Sequence, residues 1–132
     1  MTPRRAKAQL LVVTALLAGC GSSSPVKQAF EDGVAAIRET HDSLRLRAEL
    51  RATVARLRTA HDGEGRRLAL RGFETTLQGV QARIDFVAND RGNIVAATRD
   101  ARREDVALSR GARLLRRAGR VLGVSVGELN GF

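Results

Sequence analysis

From Val26 onward the chain contains no proline, and alternation of apolar with polar residues is nearly absent. Apolar residues instead recur at steps of three and four, the spacing that lines one face of an α-helix. A β-rich fold is excluded on this pattern, and a long run of helix is required. Leu, Ile, Val and Phe make up about a quarter of the residues after Gly19, above the roughly one-fifth at which a charged chain stays disordered. With no Trp, no Tyr and only four Phe, aliphatic packing must carry a thin core.

The helices can be placed. Ser24-Pro25 reads as a start, with serine capping the first turn and proline at its first position. Val26, Phe30, Val34, Ile37, His41 and Leu44 form a stripe that shifts near Leu46 and continues through Leu50, Val54 and Leu57. The spacing predicts a first helix over residues 25–60, bent near Asp42-Ser43. His61-Asp62-Gly63-Glu64-Gly65 is the clearest break. Beyond it Leu70, Phe73, Leu77, Val80, Ile84 and Val87 give an unbroken stripe and a second helix. Asn89-Asp90-Arg91-Gly92-Asn93 reads as a turn. Ile94, Ala101, Leu108, Ala112, Leu115 and Leu122 mark a third helix whose seam Thr98 and Asp105 interrupt. Residues 123–132, with three glycines, read as a fraying end. The expected fold is an all-α, elongated antiparallel three-helix bundle. The alternative is a long helical hairpin or coiled coil, because the apolar phase runs through residues 84–98 without slipping.

The first twenty-five residues are of another kind. Arg4, Arg5 and Lys7 form a basic n-region, and residues 8–18 form an apolar stretch of eleven, about 16 Å as a helix and half a bilayer core. That is the pattern of an export signal. Leu17-Ala18-Gly19-Cys20 follows, and it resembles the lipobox of bacterial lipoproteins. The resemblance implies diacylglyceryl transfer to the Cys20 thiol and cleavage between Gly19 and Cys20. It also implies a protein held by lipid on the extracytoplasmic face of the cell membrane. Gly21-Ser22-Ser23-Ser24-Pro25 then serves as a flexible tether. The expected organisation is a signal peptide over 1–19, a lipidated Cys20 and tether over 20–25, and a helical domain over 26–132. As Cys20 is the sole cysteine, the chain has no internal disulfide.

The helical body offers little for chemistry, and no catalytic residue, metal ligand or cofactor is expected. His41 and His61 each precede an Asp, but neighbours on a helix point about 100° apart, so neither forms a ready dyad. Twenty residues of helix also separate the two imidazoles by about 30 Å, too far to share a metal. His41 reads as a seam-edge residue and His61 as a turn residue. No Gly-x-Ser-x-Gly elbow occurs. Charge is more informative. The chain carries +9, and the loss of Arg4, Arg5 and Lys7 leaves +6 on the body. Between Asp105 and Glu128 there is no acid, while Arg110, Arg113, Arg116, Arg117 and Arg120 accumulate among Leu108, Leu114, Leu115, Val121 and Leu122. Such a segment suits anionic lipid or an acidic envelope polymer, or serves as the solvated face of a bundle helix. Nucleic acid is not expected, since no aromatic stacking platform accompanies the charge. The function expected from the sequence is a membrane-anchored structural or protein-interaction module that engages an unknown envelope protein.

Overall fold

A computed structural model describes residues 24–89 and 92–129. These form four helices, α1 (Pro25–Glu39), α2 (Ser43–Thr59), α3 (Glu64–Asn89) and α4 (Ile94–Leu122), with no strand among the described residues. No described helix is long and apolar enough to cross a membrane.

Ser24 caps α1 as expected, its hydroxyl accepting from the Lys27 amide at 3.2 Å, with Pro25 in the first turn. The single helix expected over 25–60 is two helices. α1 ends before Thr40, and Asp42 opens α2 by accepting from the Arg45 amide at 2.9 Å. The shift in the apolar stripe gives the reason. Ile37 and Leu46 would stand on opposite sides of one continuous helix, nine residues and thus about 180° apart. Breaking the chain between them lets α2 fold back, and both rows then enter one core. His41 and Leu44, which the expected stripe included, are left exposed at the break. Arg56 binds Asp32 at 2.8 Å and the Thr40 hydroxyl donates to Glu49 at 2.6 Å, so the two helices run antiparallel.

The break at His61–Gly63 and the turn before Ile94 fall where the sequence placed them, and residues 66–122 are two helices, not one. Asn93 caps α4, accepting from the Ala96 amide. α3 and α4 make the most extensive helix pairing of the fold, an antiparallel hairpin that turns where the alternative reading would have run one helix straight through. Its register is set by glycine. Gly65, Gly72 and Gly79 stand one heptad apart on α3, opposite Leu122, Leu115 and Leu108 at the same interval on α4. A Cβ at Gly72 would lie 2.7 Å from Leu115 Cδ2, and one at Gly79 would lie 2.6 Å from Leu108 Cδ2. Between them Thr76 sits over Gly111, where a Cβ would also meet α3 backbone: the Thr76 amide nitrogen at 3.0 Å and the Gly72 carbonyl oxygen at 3.2 Å. The missing side chains are the slots that receive the leucines. Each mid-helix glycine costs about 1 kcal/mol of helix propensity, which close packing offsets. Arg83 and Glu104, 2.7 Å apart, continue the same register.

This hairpin corrects the expected seam of the last helix. Ile94, Thr98, Ala101 and Asp105 are exposed, with Ala97 and Asp100 buried in their place, whereas Leu108, Ala112 and Leu115 are buried as expected. The phase carried over from α3 holds from Leu108 onward, where the glycine slots receive it, but not over the first half of α4, where Ala97 and Asp100 turn inward instead. Asp100 is therefore the buried acid, bound by Arg103 at 3.2 Å.

The two pairs meet at Phe30 and Phe73, with ring centroids 5.8 Å apart, and the Phe73 ring fills the space a side chain at Gly33 would take. The end of the chain is not a fraying tail over its described part. Gly123 adopts the left-handed conformation (φ +70°), the Val124 amide returns to the Gly119 carbonyl, and residues 124–129 run back along α4. Val126 and Leu129 are buried in the core.

Candidate functional site

Gly19 and Cys20, the expected cleavage and lipidation site, lie outside the described residues. The structure does place the point from which the tether would leave. Phe30 lies close to Gly119, and Arg38 lies close to Gly127, so α1 runs opposite to α4. The start of α1 and the C-terminal end of α4 thus share one end of the bundle. The start of α3 joins them there, since Gly65 receives Leu122.

The histidines come to no shared site. His61 is exposed in the loop after α2, and His41 lies at the other end of that helix. His41 does stand on the rim of a groove of about 730 Å³ between α1 and α2, whose walls include Asp32, Glu39, Asp42 and Glu49. Three of these acids are engaged elsewhere: Asp32 by Arg56, Asp42 by the α2 cap, and Glu49 by Thr40 and by Arg45 at 3.3 Å. No hydrogen bond joins the imidazole to a carboxylate among the described residues. The described residues also hold no group of three or more His, Cys, Asp or Glu placed to bind a metal.

The basic run is regrouped by the helix. Arg110, Arg113, Arg117 and Arg120 are exposed on one face of α4, while Arg116, turned about 100° from Arg117, is half-buried on a flank. None of the five forms an ion pair with an acid among the described residues, although Asp32, Asp62, Glu74 and Glu104 all hold arginines elsewhere. The face extends beyond the expected segment. Arg102 and Arg99 continue it toward the start of α4, and Val106 and Val95 lie in the same row, all exposed. Sequence reasoning missed this half because Glu104 and Asp105 seemed to close the basic run. In the structure Glu104 turns to Arg83 on α3, and Asp105 faces the flank shared with Ser109 and Leu129. Stepping by three and four residues back from Arg110 would have found the row.

A shallow groove of about 390 Å³ opens on this face between α3 and α4. Thr75 and Gln78 line it from α3, and Arg102, Arg103, Val106 and Arg110 line it from α4. Guanidinium, hydroxyl and amide donors surrounding an apolar floor suit an anion that carries a nonpolar portion. Comparison of the chain with protein-family models, with curated proteins and with solved structures gives no match.

Proposed function

We propose that this chain is a membrane-anchored lipoprotein of the bacterial envelope, held by lipid on Cys20, whose helical body is a non-enzymatic structural or protein-interaction module. The observation that carries the reading is the lipobox-like Leu17-Ala18-Gly19-Cys20 directly behind a basic n-region and a short apolar stretch. Two acyl chains suffice for stable attachment, each buried CH₂ contributing about 0.8 kcal/mol. α1 begins at Pro25, only five residues beyond Cys20, so the body would sit close to the bilayer surface. A second reading gives the C-terminal basic segment a role of its own, binding anionic lipid or an acidic wall polymer. It is favoured by the exposure of Arg110, Arg113, Arg117 and Arg120 without acidic partners among the described residues.

Metabolic labelling with a palmitate analogue tests the anchor. The wild-type protein is expected to take the label, fractionate with membranes and begin at Cys20 by mass spectrometry. A Cys20→Ala protein that stays labelled and membrane-bound, or a mature chain beginning elsewhere, would overturn the reading.

A further inference from the structure

We infer that the outer face of α4, taken over its whole length, seats the domain flat on an anionic lipid bilayer. The inference rests on the second reading above and deepens it, by choosing the membrane as partner and enlarging the site. Its basis is one row of exposed residues. Arg99, Arg102, Arg110, Arg113, Arg117 and Arg120 follow each other along a single helical face. Val95 and Val106 occupy the two remaining steps of that row, and Val121 lies on its edge. At 1.5 Å per residue the row is about 37 Å long. No acid stands in it. Asp100 is buried, Glu104 is held by Arg83, and Asp85 lies across the groove, 3.9 Å from Arg103.

The valines decide between partners. Of the six large apolar residues exposed on the described body, Val95 (81%), Val106 (59%) and Val121 (48%) lie on or beside this row, Val87 and Ile94 flank the turn at its Val95 end, and Leu44 lies off it. A soluble acidic polymer satisfies the guanidinium groups but removes little apolar surface from water. A bilayer offers both in the order needed, an anionic headgroup layer with nonpolar chains just beneath it. Arginine stems can lie along that boundary while their charged ends stay with the phosphates. The groove walled by Thr75, Gln78, Arg102, Arg103 and Arg110 would receive one headgroup, with Val106 and Ala107 toward the chains.

The rest of the fold leaves this side open. α1 and the returning tail cover the opposite flank of α4, where Gly119 meets Phe30 and Val126. The start of α1 also lies at the Arg117–Arg120 end, so a short tether from Pro25 and the basic row can reach the same surface.

The test uses the full chain carrying Cys20→Ser, which removes the anchor and leaves an introduced cysteine unique. An environment-sensitive fluorophore is placed at Val106→Cys, and in a second protein at Ala55→Cys, exposed on α2. With vesicles of phosphatidylcholine mixed with phosphatidylglycerol, the label at 106 is expected to shift to the blue while the label at 55 is unmoved. Vesicles of phosphatidylcholine alone give no shift, and high salt reverses the one seen. Replacing Arg102, Arg110, Arg113 and Arg117 by Gln should weaken apparent vesicle affinity by about tenfold or more. Retained helical circular dichroism is the control, and if that variant unfolds, Arg110→Gln and Arg113→Gln alone read the same loss in smaller steps. Three outcomes overturn the inference: silence at 106 on anionic vesicles, an equal shift at 55, or an equal shift at 106 with soluble polyphosphate and no vesicles. Because Cys20 is absent throughout, failure here leaves the lipid anchor standing, and failure of palmitate labelling leaves this result untouched.

Discussion

The α1–α2 pair and the α3–α4 hairpin solve the same packing problem by opposite means. The first pair brings large side chains together, Phe30, Val34 and Ile37 from α1 with Leu46, Leu50, Val54 and Leu57 from α2. The second removes side chains from one helix so that the leucines of the other can sink into it. Three glycines one heptad apart on α3 receive three leucines of α4, and Gly111 returns the arrangement to Thr76. In the first pair, apolar volume marks the interface. In the second, part of the interface is where volume is missing, so hydrophobicity marks it incompletely: Phe73, Val80, Leu108 and Leu115 are buried as their stripes expect, but the glycine slots go unmarked. Leu70, Leu77 and Ile84 are only partly buried, and Val87 and Ile94 are exposed.

The most severe way to break this contrast is at the junction of the two pairs. Phe73→Ala should cost about 3–5 kcal/mol, measured by urea denaturation with far-ultraviolet circular dichroism, since the ring is fully buried against Phe30. A loss below 1 kcal/mol would mean the pairs do not share a core. Leu129→Ala should follow at about 2–3 kcal/mol, because its side chain is 2% exposed. A neutral result would restore the loose tail expected from the three glycines. Gly111→Ala should destabilise by about 1–2 kcal/mol although alanine favours helix by about 1 kcal/mol, since the new methyl meets α3 backbone. A more stable protein would show that the glycine slots are incidental. Asp42→Ala should cost about 1 kcal/mol by removing the α2 cap, and it tests whether the break between α1 and α2 is specified locally. Smallest of all, Arg58→Ala should change stability by less than about 1 kcal/mol, because its pair with Glu74 is solvated on both sides.

Legibility follows the same division. The cap at Ser24, the break at His61–Gly63 and the turn before Ile94 could be read directly, because each depends on a few neighbouring residues. The seam shift at Leu46 was also visible. Its consequence, a break and not a bend, depended on there being a shared core for both rows to enter. The basic face was half legible. Arg110, Arg113, Arg117 and Arg120 were apparent as a run, whereas Arg99 and Arg102 lay beyond Glu104 and Asp105 in sequence and belong to the row only once the helix turns those acids aside.

Sequence by itself determined that the body is helical, where most turns fall, and that a lipobox-like tetrapeptide precedes it, because these follow from local spacing and local chemistry. Tertiary structure alone decided how α3 meets α4, which side of α4 stays uncovered, and that the chain end closes the core. The physical reason is that a glycine slot acquires meaning only when another helix fills it. A charged row likewise becomes a surface only when the fold leaves it uncovered.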